Sequence, residues 1–259
     1  MVRRPDPQTM LQRGLAVLGA FDADHPVLTL TEIAGRTGFA LSTTSRLVGQ
    51  LQEWGALARS DAREYTIGPR VWDLGLLSNV HRQVRVAGLP VLRDVFATTR
   101  QNVHLAVREG SSALFVERLS EPRTAGLTSR PGNRIPLYAC AVGKAMLAHA
   151  TDEVVREALS DAVALTDRTI TSYDGLVSEL ARVREQGYAR TVQEFSAVGQ
   201  SVGAPILDAH GTAIAAIGIV AESDAQDLDR LAPVLQIAGR AIARRLDPRA
   251  EHAYAAGRG

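Results

Sequence analysis

The stretch VLTLTEIAGRTGFALSTTSRLVGQLQEWGALARSDAREYTI, residues 27 to 67, admits few folds. Thr29 stands three residues before Glu32, and that spacing closes a capping box: the threonine oxygen takes a free first-turn amide while the glutamate reaches back to the cap. Ile33 and Ala34 then face inward. Gly38 can take the left-handed backbone that ends a helix and turns the chain. A second helix is predicted from about Ala40 to Trp54, with Leu47, Val48, Leu51 and Trp54 on one face at helical spacing. Ser42, Thr43, Ser45, Arg46, Gly49 and Gln50 fall largely on the other face, and Gly55 ends the helix. Ala56 to Arg59 and Glu64 to Ile67 read as strands of a hairpin around Ser60-Asp61-Ala62-Arg63.

Two short helices that meet at a glycine and lead into a hairpin make the pattern of a winged helix-turn-helix. Short hydroxyl side chains at the start of the second helix would let it sit deep in a major groove, with Arg46 and Gln50 reaching base edges or phosphates. Arg59 and Arg63 are placed to touch phosphate. The predicted DNA-binding residues are therefore Ser42, Thr43, Ser45, Arg46, Gln50, Arg59 and Arg63, and the expected partner is a double-stranded DNA operator. Bulk charge adds little: the net charge is +1, and residues 1 to 85 hold ten arginines against eight acids. Binding would rest on a local patch and on dimerisation. A helix pair whose polar face is merely solvated, or a winged helix that docks on protein, fits the same pattern; specific, salt-sensitive DNA binding separates these readings.

At 259 residues and 46% apolar composition, the chain suits one large or two modest domains. No apolar run reaches the roughly 20 residues that span a bilayer, and MVRRPDPQTM lacks the apolar region of a secretory signal. A cytoplasmic protein with no membrane partner is expected. Cys140 is the one cysteine, which excludes an internal disulfide and a multi-cysteine metal site. Of the 29 basic residues only Lys144 is a lysine.

Residues 1 to 9 read as disordered, with Arg3 and Arg4 able to trail along a minor groove. A helix is predicted from about Thr9 to Ala23, with Met10, Leu11, Leu15, Val17, Leu18 and Phe21 as its core face. Pro69 opens another helix, where its missing amide costs nothing, and Val71, Leu74, Leu77, Val80 and Val84 recur along it at helical spacing. That stripe needs a partner, in a second domain or a dimer. Gly88 and Pro90 are expected to interrupt it, with a further helix over Val91 to Arg100. Val103, Leu105 and Val107 then alternate, as do Leu114, Val116 and Leu119, around a turn at Glu109-Gly110-Ser111-Ser112. A strand is expected at Thr124 to Ser129, closed by Pro131-Gly132-Asn133. Helices follow at about Ala141 to Ala150, Asp152 to Ser160 and Tyr173 to Gln186. Strands follow at Tyr188 to Glu194, Ser201 to Leu207 and Thr212 to Ala221, then a closing helix from Leu228 to Leu246. The order implies an α+β domain with a largely antiparallel sheet.

RGLAVLGAFD, LTLTEIAGRTGF, STTSRLVGQL and YTIGPRVWDLG in the first half, with GNRIPLYACAVGKAMLA and SVGAPILDAHGTAIAAIGI in the second, resemble the IclR family of bacterial transcriptional regulators over nearly the whole chain. The resemblance implies an N-terminal winged helix-turn-helix (residues 1–68), a linker helix (69–88), a C-terminal GAF-like effector-binding domain with an antiparallel sheet (89–248) and a disordered tail (249–259). It also implies a homodimer or dimer of dimers, no cofactor, and control of the catabolism of a small carboxylic or aromatic acid. By position, the effector pocket would be bounded by Cys140, Ala141 and Val142 at a helix start, whose free amides suit a carboxylate. Thr191, Ser201, Gly218 and Val220 would form the opposite wall. Thr191 stands where an acid is common, and Gly218 and Val220 where hydroxyl residues occur in some members, so the pocket reads as more apolar than in regulators of very small acids and suited to a larger or more hydrophobic effector, such as an aromatic acid.

An enzyme is the competing class. Cys140 at the mouth of a helix would be its nucleophile, with His104 or His149 as base. Lone cysteines are more often buried, the carboxylates form no convincing pair, and no nucleophile elbow, P-loop or dinucleotide fingerprint is present. His25, His81, His104, His149, His210 and His252 show no metal-ligand spacing.

Overall fold

The computed structural model describes residues 9–22, 24–77, 81–121, 130–222 and 228–247. The chain divides into two compact units, Met1–Val80 and His81–Gly259. The expectations for the N-terminal arm, for a strand at 124–129 and for the tail lie outside the described residues.

The first unit holds α1 (Met10–Leu18), β1 (Val27–Thr29), α2 (Leu30–Thr37), α3 (Leu41–Trp54), β2 (Leu57–Arg59), β3 (Glu64–Ile67) and α4 (Pro69–Leu77). The capping box forms at α2: Thr29 Oγ1 accepts from the Glu32 amide at 3.3 Å, and Glu32 Oε2 accepts from the Thr29 amide at 2.7 Å. Gly38 and Gly55 end α2 and α3 in the left-handed conformation, at φ 75° and 86°. Val17, Leu28, Ile33, Leu47, Val48, Leu57 and Tyr65 form the core. The hairpin gains a third strand, β1, giving an antiparallel sheet in the order β1-β3-β2.

The first helix ends at Leu18, capped by Gly19, rather than at Ala23. Met10, Leu11 and Leu15, expected in the core, are exposed, Leu11 at 72%. The helix packs on α2 and α3, and only Val17 of its residues is fully buried there. Trp54, expected on the apolar stripe, is exposed as well and lies under the Arg70 guanidinium, 4.4 Å from its ring centroid.

The second unit is a sheet of six antiparallel strands in the order β6-β5-β4-β9-β8-β7, covered by helices on both faces. The strands are β4 (Asn102–Glu109), β5 (Ser112–Leu119), β6 (Arg134–Pro136), β7 (Ala189–Val192), β8 (Gly199–Leu207) and β9 (Ala213–Glu222). Val103, Leu105, Ile217, Ile219, Val202 and Ile206 point to one face, under α5 (Arg82–Thr99) and α9 (Ala232–Leu246). The alternate residues, among them Ala106, Phe115 and Ala216, point to the other face, under α6 (Ala141–Leu147), with α7 (Asp152–Leu159) and α8 (Tyr173–Gln186) beyond it. The expected α+β architecture with an antiparallel sheet is present. Among the described residues no helix is long and apolar enough to cross a membrane.

Gly88 and Pro90 do not interrupt a helix, as they were expected to: α5 runs unbroken through both. Gly88 is a contact residue, since a Cβ there would lie 2.7 Å from Leu105 Cδ2 on the sheet. Pro90 forgoes one backbone hydrogen bond, and the burial of Ala87, Val91, Leu92 and Val95 around it outweighs that loss. The break falls earlier, ahead of α5, where His81 has a left-handed φ of 59°. Residues 81–88 of the expected linker thus fall in the second unit.

Thr29→Ala removes the acceptor of a first-turn amide, a loss that costs about 1 kcal/mol in comparable caps. The Thr29 amide and the Thr29 hydroxyl both donate to the Glu32 carboxyl and hold it below its ordinary value, and Thr29→Ala removes the hydroxyl's bond. The folded box therefore binds a proton less readily than the unfolded chain, so its contribution is full above the carboxylate range and fades as pH falls through the depressed value. Urea unfolding followed by circular dichroism is expected to show Thr29→Ala less stable at pH 7, with the gap to wild type narrowing below about pH 4.

Candidate functional site

Helix α3 buries Leu47 and Val48 and turns Ser42, Ser45, Arg46, Gly49 and Gln50 outward, with Thr43 half-buried. Thr44 is the hydroxyl residue that faces in, donating to the Ala40 carbonyl at 3.1 Å. Arg59 ends β2 beside the Tyr65 ring, 5.7 Å from its centroid, and Arg63 sits in the hairpin turn at φ 61°. Among the described residues no carboxylate pairs with Arg46, Arg59 or Arg63. Arg36 differs: its guanidinium is tied to Asp22 and to the Ala20 carbonyl. The seven residues predicted to touch DNA thus lie on the exposed side of α3 and on the β2–β3 hairpin, and the three arginines among them keep their charge unneutralised.

The second site is a cavity of ≈ 320 Å³ between the α6 face of the sheet and the loop at 193–199. Cys140, Ala141, Val142, Thr191, Ser201 and Val220 all line it. Gly218 lies beside it instead: a Cβ there would come within 2.6 Å of both His104 Nε2 and Val142 Cγ1. Gly203, its partner across the strand pair, does the same for α6, since its Cβ would lie 2.9 Å from the Ala141 carbonyl carbon and the Val142 nitrogen. This glycine pair lets the start of α6 rest on the sheet. Thr191 Oγ1 and Ser201 Oγ, on paired positions of β7 and β8, are 2.6 Å apart.

His104, Phe115 and Glu194 also line the cavity, although pattern reading did not place them there. His104 is the polar member of an alternating strand, which reads as solvent-facing; the second helical layer buries it to 3% exposure. Its ring stands edge-on to Phe115 with centroids 4.9 Å apart. Burial, aided by the charge of Arg118, lowers its pKa to about 3, so the imidazole is neutral.

All seven residues of α6 are buried, Lys144 completely. Its ammonium donates to both carboxylate oxygens of Glu194, at 2.7 and 2.6 Å. Burial pushes the Glu194 carboxyl up, and Lys144 pulls it back. The Thr169 hydroxyl fixes the Glu194 carbonyl at 2.7 Å, and the Thr166 hydroxyl fixes the Gln193 carbonyl at 2.6 Å. The loop that roofs the cavity is thus anchored on both sides. Among the described residues no lysine or arginine lines the cavity. Cys140 is 6% exposed, its thiol directed at the Pro136 carbonyl 3.6 Å away, and burial raises its pKa to about 12. A thiol so held supplies no thiolate at neutral pH. His149 is not on the cavity wall.

Two family models match the chain: the IclR helix-turn-helix domain over residues 10–61, and the bacterial transcriptional regulator IclR C-terminal domain over residues 78–246. The Pca regulon regulatory protein of Pseudomonas putida is 30% identical over 93% of this chain and 85% of its own length. The transcriptional repressor IclR of Escherichia coli K12 is 28% identical over 81% of this chain and 78% of its own. Among solved structures, an IclR homologue from Microbacterium hydrocarbonoxydans complexed with 4-hydroxybenzoate is 30% identical with a TM-score of 0.83, covering 92% of this chain and 99% of its own. The curated relatives are named as regulators of transcription, and the enzyme reading falls with the buried Cys140.

Lys144→Met leaves the Glu194 carboxylate buried without a counter-charge, and breaking a buried pair in this way costs about 3–5 kcal/mol. Denaturant unfolding is expected to show a loss of that order, largely recovered when Glu194→Leu is added. A single variant as stable as wild type would mean that the pair is not closed in solution.

Proposed function

The chain belongs to the IclR family of bacterial transcriptional regulators, and from that premise we propose a DNA-binding regulator switched by a small aromatic carboxylic acid whose catabolism it controls. The observation that carries this reading is the cavity of ≈ 320 Å³, in the same chain as a helix with an exposed Ser45, Arg46 and Gln50 face. That volume is at the lower end for small-ligand sites, which run to about 300–1,000 Å³, and suits one ring with short substituents. Phe115, Val142 and Val220 give it apolar walls. The 4-hydroxybenzoate held by the Microbacterium homologue supports an aromatic acid. Lys144 is already neutralised by Glu194, so the carboxylate is held by dipoles, above all by the Thr191 and Ser201 hydroxyls. Neutral donors of this kind stabilise the ionised form of an acid.

On the DNA side, Ser42, Thr43, Ser45, Arg46 and Gln50 meet the major groove, and Arg59 and Arg63 meet phosphate. The working form is a homodimer or a dimer of dimers, supported by the exposed apolar side chains of Leu11, Leu15 and Trp72. Two reading helices must then match half-sites roughly 34–36 Å apart or a multiple of that. An effector changes this fit only by binding one arrangement of the assembly more tightly than another.

The test is a thermal-shift screen against aromatic and short-chain carboxylic acids. The best acid is then added to a gel-shift with the DNA upstream of the protein's own gene. An aromatic acid is expected both to stabilise the protein and to change the gel-shift. DNA binding with no stabilising acid would overturn the effector class, and no DNA binding under any condition would overturn the operator reading. Arg46→Ala is expected to lose about 1–3 kcal/mol of operator affinity, and Arg63→Ala to weaken all sequences alike while lowering the salt slope by about one. Unchanged affinity would remove Arg46 from the DNA contacts.

A further inference from the structure

The hydroxyl pair is one polar station of the cavity, and His104 is a second. His104 lines the cavity and is buried, and neither ring nitrogen has a hydrogen-bond partner among the described residues; Nδ1 is sealed, and Nε2 stands over Gly218. Phe115 stands edge-on to the ring, and Gly218 and Val142 close round its other side. Buried polar atoms without a partner are few in native proteins, and each is unfavourable unless something completes it. On the opposite wall Thr191 and Ser201 share one hydrogen bond, which leaves one hydroxyl hydrogen of the pair to meet a carboxylate, and the Glu194 carboxylate is met by Lys144.

The sheet register fixes the separation of the two stations. His104 pairs with Gly218, and Ser201 pairs with Val220, so the stations are two strands apart and two residues offset. At a strand spacing of about 4.8 Å and a rise of about 3.4 Å per residue, their backbones are roughly 12 Å apart. Side chains reaching inward, with a hydrogen bond of about 2.8 Å at each end, leave a gap of one substituted ring. Val142, Val220 and Phe115 line that gap with apolar surface.

We propose that His104 reads a hydroxyl group on the ring of the bound acid, at the end away from the carboxylate, and so selects ring-hydroxylated aromatic acids over unsubstituted ones. This rests on the aromatic-acid reading of the cavity and adds what its second end recognises. A neutral imidazole offers one N–H donor and one bare nitrogen acceptor, and a hydroxyl, which both donates and accepts, pairs with Nε2 in either tautomer. A bare ring edge completes neither, and a second carboxylate would add a buried charge with no cation to meet it. Sites that hydrogen-bond a ligand hydroxyl discriminate strongly against the analogue without it, because the buried partner is then left unpaired.

Isothermal titration calorimetry of the full chain with benzoate, 3-hydroxybenzoate and 4-hydroxybenzoate tests this, on wild type, His104→Leu and His104→Asn. Wild type is expected to bind one of the hydroxybenzoates at least about tenfold tighter than benzoate. His104→Leu is expected to bring that ratio close to one by weakening the hydroxylated acid and sparing benzoate. His104→Asn, which keeps a donor and an acceptor, is expected to fall between. The melting temperature of ligand-free His104→Leu is expected to hold or rise, because the unpaired polar atom is gone; a purely structural histidine would lower it. A ratio that survives in both variants, or in Asn alone if Leu does not fold, overturns the role of His104 and leaves the acid reading standing. Wild type that prefers no hydroxylated acid also overturns it. Failure of all three acids to bind overturns both.

Discussion

The second unit depends on how close a helix can come to a sheet. At Gly203 and Gly218 there is no Cβ, so the start of α6 lies directly against β8 and β9. Pressed there, α6 buries all seven of its residues, including the ammonium of Lys144. A charge in that position needs its opposite within reach, since burying an unpaired ion is prohibitive. Glu194 supplies it from the loop after β7, and in doing so holds that loop over the sheet. The cavity is the space left beneath. Its lack of a free cation follows from the same contact, because the pair that holds the roof in place is neutral as a unit.

Near-zero net charge conceals an uneven distribution. In the second unit Arg85, Arg134, Arg156, Arg182 and Arg190 each meet a carboxylate. In the first, Arg46, Arg59 and Arg63 meet none among the described residues. Where positive charge stands without an acidic neighbour is thus set residue by residue, and a count over the whole sequence does not register it.

Local chemistry was legible wherever a few adjacent residues determine the outcome. Thr29 with Glu32, the left-handed Gly38 and Gly55, the β2–β3 hairpin and the β8–β9 pair can all be read from spacing alone. Strands β1 and β6 could not, because three residues carry too little alternation and their partners lie elsewhere in the chain. Gly88 and Pro90 read as breakers because intrinsic preference says so, while the facing sheet makes one a contact and tolerates the other. Leu11 and Leu15 read as core because periodicity shows which side is apolar but not whether anything covers it. For the site, the resemblance pointed to both walls, yet His104 was hidden by burial on both faces of β4. Glu194 was hidden by the fifty residues that separate it from Lys144. One trace was present in the sequence: a single lysine, in an otherwise arginine-only chain, placed inside the apolar run YACAVGKAMLA.

That lysine and the single cysteine have a consequence for handling the protein. Both of the side chains most often used for bioconjugation occur once, at Lys144 and Cys140, and both are sealed in the second unit. Acylating and alkylating reagents therefore find no lysine or cysteine side chain on the native surface. A fluorophore or spin label placed through one added surface cysteine would report from that site alone, against a chemically silent background.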